Sequence, residues 1–133
     1  MQPWAASIIG FLGGIVYFGA SNCVLNVCKV DDPLDAFAVH GACGFWGVLA
    51  AALFATDAYG YGSAAGKGGL FYGGGFDSTG VALAFLFAII AWVAGMSLLM
   101  FIPLKMIGIL RVSAEVEAAG MDVSKHGGAA YEA

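Results

Sequence analysis

The sequence predicts an all-α membrane protein with three transmembrane helices and a cytoplasmic C-terminal tail. Two observations carry that prediction. Of 133 residues, 61% are hydrophobic and only 11% charged, with a mean hydropathy of +0.89, whereas a soluble domain keeps about a quarter of its residues charged. Three segments, Trp4 to Val27, Ala36 to Ala55 and Val81 to Ile102, contain no Asp, Glu, Lys or Arg. Each reaches the roughly 20 apolar residues that a spanning helix needs. The net charge of -4 and the scattered basic residues exclude a nucleic-acid-binding surface. The run from Trp4 lacks a basic leader and is too long and Gly-rich for a cleavable signal peptide.

Orientation follows from the cations. Lys29 lies between the first two spans, and Lys105, Arg111 and Lys125 follow the third, so all four share a side; only Lys67 faces the other way. The positive-inside bias then places residues 28–35 and the tail in the cytoplasm and the Gly-rich 56–77 loop outside. The chain divides into a membrane region, 1–104, with spans at about 4–27, 35–55 and 79–103, and a tail, 105–133.

In the first span, Trp4 suits a membrane interface. Gly10 and Gly14 form a GxxxG pair, widened by Gly13, which predicts close helix packing. Cys23, Cys28 and Cys43 lack paired metal-ligand spacing and read as small apolar fillers on the reducing side or inside a span.

The turn that follows is rich in start signals. Asp32 is expected to cap the second span, with Pro33 at its first helical position and Asp35, three residues past the cap, completing a capping box. Both carboxylates also complement the positive end of the helix dipole. Asp31 has no such explanation.

His40 is the unusual residue of the second span. It lies eight residues past Asp32, about 12 Å at ~1.5 Å per residue, close to the middle of a ~30 Å hydrocarbon core. Ala36, Cys43 and Gly44 are expected on its face, and Gly41, Gly44 and Gly47 recur every three residues. The ring is therefore expected among small side chains, in a tight helix contact or beside a narrow cavity. An ionisable group at that depth points to function, the alternative being a neutral histidine bonded to a neighbouring helix. No other His, Asp or Glu lies at membrane depth, so no metal, haem or other cofactor is expected. A neutral imidazole offers one donor and one acceptor to a small polar solute.

The 56–77 loop is not a phosphate loop, having no preceding strand and no GKS or GKT; its glycines predict tight surface turns. The third span is apolar nearly all round, Pro103 is expected to end or kink it, and Lys105 to anchor its inner end. In the tail, Ser113 with Glu115 to Glu117 predicts a short helix that Gly120 stops, followed by a polar, exposed stretch containing Ser124.

Three stretches, "DDPLDAFAVHGACGFWG", "GLFYGGG" and "LRVSAEVEAAGMDVSKHGG", resemble the ammonium transporter family (Amt/Mep/Rh) in its plant-type eukaryotic branch, in order and over essentially the whole chain. The resemblance implies that His40 is the second of two pore histidines and that Asp31 and Asp32 lie at the cytoplasmic start of its helix. It implies a tail packed beneath the pore of a neighbouring subunit in a trimer, with Gly120 and Asp122 in its core. Ser124 matches a threonine that acts as a phosphorylation switch in that branch. Family members have about eleven spans and this sequence matches the last three, so the outer recruitment site, the paired phenylalanines and the first pore histidine have no counterpart here. Met1 before "QPWAAS" reads as the start of a fragment. The expected function is transport of ammonium or ammonia across the plasma membrane, without enzymatic activity, in a homotrimer or heterotrimer embedded in lipid. The alternative is a non-transporting truncated subunit that binds and modulates full-length trimers.

Overall fold

The computed structural model describes residues 1–59, 68–125 and 127–128, and every regular element among them is helical. Helix α1 spans Pro3–Asn22 and runs on into a π turn, Cys23–Val27. A second π turn, Phe37–Ala42, leads into α2, Cys43–Phe54. Helix α3 is Asp77–Met106, and two short helices follow, α4 at Ala114–Ala119 and α5 at Met121–Lys125. Three continuous helical stretches, Pro3–Val27, Phe37–Phe54 and Asp77–Met106, are long and apolar enough to cross a membrane. The chain forms two compact units, Met1–Ile89 and Ile90–Ala133.

In the first unit α1 and α2 pack antiparallel. Trp4 meets Phe54 edge to face, with centroids 6.5 Å apart. Further along, Trp46 Nε1 donates to the Ile9 carbonyl at 3.0 Å and Cys43 Sγ to the Gly13 carbonyl at 3.5 Å. The small buried residues of these helices are Ala5, Ala38, Ala50 and Ala52, side chains of the kind that let membrane helices approach. Gly13, against which Trp46 rests at 3.7 Å from a hypothetical Cβ, is the glycine that makes the contact. Gly10 and Gly14 have nothing within 4 Å. The GxxxG pair therefore does not form the seam between these two helices, because Trp46 selects the strip between them.

Beyond α2 the glycines do more than turn. Gly68, Gly69 and Gly74 are buried, and Gly69 N–H donates to the Ala55 carbonyl at 2.7 Å. A Cβ on Gly69 would lie 2.6 Å from the carbonyl oxygens of Ala52 and Leu53, and one on Gly74 only 1.5 Å from that of Gly68. Backbone packs directly on backbone here, and the expected surface turn is in part an interior contact. Phe71 closes it by stacking edge to face on Phe54 at 4.9 Å. The rest of the loop, including Lys67, lies outside the described residues.

Helix α3 passes through Pro103 and reaches Met106, where the sequence expectation had it ending or kinking at the proline. A proline removes one donor, and the following residues re-form the ladder, with Ile107 N–H on the Pro103 carbonyl at 3.1 Å. Gly108, at φ 76°, ends the run. In the second unit this helix exposes large apolar side chains all round, Trp92 and Leu99 at 71% each, as expected for a helix facing lipid or other helices. In the tail, Ser113 Oγ accepts from Val116 N–H at 3.4 Å and Gly120, at φ 83°, stops α4. The stretch beyond is helical rather than an exposed coil. Ser124 is half-buried, its Oγ bonded to the Gly120 carbonyl at 2.8 Å. Asp122 lies in α5, and its side chain is outside the described residues.

Candidate functional site at the start of the second span

Asp32 satisfies two of the donors that a helix start leaves open: its carboxylate accepts from Ala36 N–H and Phe37 N–H, each at 2.9 Å. The helix accordingly begins at Ala36, three residues later than the sequence suggested. Pro33 and Leu34 form a turn instead, closed by Asp35 N–H on the Asp32 carbonyl at 3.1 Å.

Asp35 takes the left-handed conformation, φ 51°, which Asp tolerates better than most residues. That backbone turn is incompatible with the reciprocal capping box expected of it. Its carboxylate meets α1, where Oδ2 accepts from the Tyr17 hydroxyl and Oδ1 from the Ser21 hydroxyl, both at 2.7 Å. These bonds, Tyr17's first and Ser21's second, hold the Asp35 carboxyl below its ordinary pKa, against a smaller upward push from desolvation. Tyr17 and Ser21 were missed by the sequence reading; their spacing of four, on one face of a helix otherwise poor in polar groups, was the available signal. Asp31 is exposed and lines, with Asp32, a notch at the end of α1.

His40 sits in the π turn, four residues beyond Ala36, about 6 Å at ~1.5 Å per residue. That is half the depth counted from Asp32, because the helix starts late. Its side chain is exposed and makes no hydrogen bond with the described residues. Ala36 and Gly44 are exposed too, but Cys43 faces α1. The wider turn rotates successive side chains differently from an α-helix and divides the expected common face. Phe37 lies against Gly41, 3.0 Å from where a Cβ would be, leaving the imidazole on a surface of small groups. Among the described residues no three metal-ligating side chains gather.

A capped, charge-free helix that carries one exposed imidazole and packs antiparallel on α1 suits a larger membrane bundle. The profile of the Ammonium Transporter Family matches residues 1–131. The chain belongs to the ammonium transporter family. It is 43% identical over 98% of its length to ammonium transporter 1 member 1 of Arabidopsis thaliana, covering 27% of that protein. It is 41% identical to ammonium transporter 3 of Dictyostelium discoideum, again over 98% of the chain and 31% of the relative. A putative ammonium transporter 1 of Caenorhabditis elegans is 40% identical, with 25% of its length covered. The chain thus spans between a quarter and a third of these curated relatives. No solved structure gives a significant match. Membership and the three apolar helices together identify an integral membrane protein.

Proposed function

We propose that this segment works within an ammonium transporter, where His40 is one of the groups lining the path of ammonium or ammonia. The observation that carries the reading is the exposed, unbonded imidazole on a charge-free helix of a chain from this family. A buried neutral histidine normally finds partners inside its own bundle; this ring is left for whatever lies beyond the α1–α2 pair. In the proposed mechanism ammonium loses its proton or its hydration shell on entering, and the imidazole exchanges a hydrogen bond with the desolvated species while offering no charge to ions.

In this reading residues 1–104 form the membrane region and 105–133 a cytoplasmic regulatory tail, in a trimer of the plasma membrane. Asp31, Asp32 and Asp35 support the helix that carries His40. Gly120, Asp122 and Ser124 belong to the regulatory part.

The test is His40→Ala in a complete transporter carrying this segment, followed by methylammonium uptake and by native-gel analysis of assembly. Uptake should fall or change selectivity while trimers still form. Unchanged rate and selectivity would return His40 to a packing role and overturn the assignment.

A further inference from the structure

In a regular α-helix, residues five apart lie about 140° apart around the axis, so the sequence places the thiols of Cys23 and Cys28 on different faces. The π turn alters that. Cys28 N–H donates to the Cys23 carbonyl at 2.8 Å, a bond from residue i+5 to residue i that sets Cys28 one full turn above Cys23. The wide winding continues, with Val30 N–H on the Val24 carbonyl at 3.0 Å. Helical side chains lean toward the N-terminus, so the Cys28 thiol leans back over Cys23. Both are free and exposed, and both line one notch of about 560 Å³ with Ala20, Val24 and Asp31. The Cys28 thiol pKa is pushed up chiefly by the Cys23 thiol beside it, which agrees with this proximity.

We propose that Cys23 and Cys28 form a two-thiolate site for a soft, low-coordinate cation, monovalent copper being the fitting one. Thiolate sulfur selects such ions. Only two sulfurs converge, and no group of three ligating side chains exists among the described residues, so a tetrahedral zinc ion would lack its remaining ligands. Ala20 and Val24 give the notch an apolar wall beside the sulfurs, and the Asp31 carboxylate on the rim attracts an incoming cation. Binding is a simple exchange. Each S–H bond breaks, each sulfur forms one bond to the ion, and both protons pass to solvent with no change in oxidation state. The bound ion would clamp the π turn at the foot of α1, beside the Asp32 cap of the second span.

The test uses the whole 133-residue chain in detergent, with Cys43→Ala to remove the third thiol. Monovalent copper, kept reduced, is titrated against a chromophoric copper chelator. One ion should bind per chain and release about two protons, excess zinc should fail to displace it, and Cys23→Ser or Cys28→Ser should each lose the binding while circular dichroism stays unchanged. Copper held equally well by either serine variant, as thioethers elsewhere would hold it, overturns the proposal. So does displacement by zinc.

Discussion

Tyr17 donates its phenolic hydrogen to Asp35 Oδ2 at 2.7 Å, so the residue just before the second span is fastened to the first. With Ser21 on the other oxygen at 2.7 Å, one carboxylate joins the two helices at one end, apart from the Trp46–Ile9 and Cys43–Gly13 bonds further along the pair. Removing the acceptor strands two hydroxyls, whereas removing one donor leaves the other bond in place. Asp35→Ala, which removes both oxygens, should therefore lower the thermal midpoint of the chain in detergent more than Tyr17→Phe, and the double variant should lose less than the sum. Additive losses would mean that the two side chains do not act together.

The same bond gives a pH dependence of fixed sign. The folded pKa of Asp35 is lowered from 3.8, so its contribution is present above that value and fades as pH falls through the lower folded one. Acid should thus weaken the wild type selectively, while Tyr17→Phe with Ser21→Ala shows a flatter profile over the same window. A wild-type midpoint as insensitive to acid as that of the variant would contradict this.

What the sequence made legible was whatever depends on composition and short-range chemistry. Three charge-free runs announced three helices, Asp32 announced a cap, and Ser113 with Gly120 bounded α4. Hidden features depend on winding or on tertiary approach. The π turn at Phe37–Ala42 divides the face deduced for His40 and Cys43, since the deduction assumed α-helical pitch. Asp35 looked like half of a capping box because spacing does not reveal a left-handed backbone. Pro103 looked like a stop or a kink because its missing donor is local; the helix does not end there but continues to Met106. The candidate site divides in the same way. A histidine in an apolar run was evident, but its exposure, four residues into a helix that begins late, was not.

Gly74 and Gly73 are neighbours with opposite constraints. A Cβ at Gly73 meets nothing within 4 Å but must adopt φ 79°, a strain of about 1–2 kcal/mol. At Gly74 it would stand 1.5 Å from the Gly68 carbonyl oxygen, and backbone cannot yield as a flexible side chain does. Gly74→Ala should therefore destabilise more than Gly73→Ala, beyond the roughly 1–3 kcal/mol typical of overpacking. Denaturation in mixed detergent gives the order. A reversed order would show that the loop does not pack on itself as described.

The isolated 133-residue chain should not carry ammonium or its methylated analogue. Its three long helices leave large apolar side chains such as Phe11, 73% exposed, and Trp92, 71% exposed, without partners in their own units. A path for a polar solute must be enclosed on all sides, and His40 lies on an open surface. Liposomes containing this chain alone should show no saturable methylammonium uptake. Saturable uptake there would mean that self-association of this segment encloses a path.

Ser124 offers the last test. Its hydroxyl donates to the Gly120 carbonyl at 2.8 Å, and its N–H donates to the same oxygen at 3.2 Å. It stands near the end of α5, Met121–Lys125, where the helix dipole is negative. A phosphate would remove the hydroxyl donor and bring about -1.5 to -2 charges to that carbonyl. Repulsion should therefore open α5, whereas Ser124→Ala deletes one bond and adds no charge. If the tail couples subunits, as the proposed trimer requires, an opened α5 in one subunit should act on its neighbours. In a complete transporter carrying this segment, Ser124→Asp should lower methylammonium uptake even when co-assembled with unaltered subunits, and Ser124→Ala should remain active. Because Asp carries less charge than phosphate, the substitution should give a partial effect, and phosphorylation of the unaltered Ser124 a deeper one. Full uptake by mixed trimers with verified Ser124→Asp incorporation would remove Ser124 from the regulatory tail and leave its hydroxyl a local tie within a short helix.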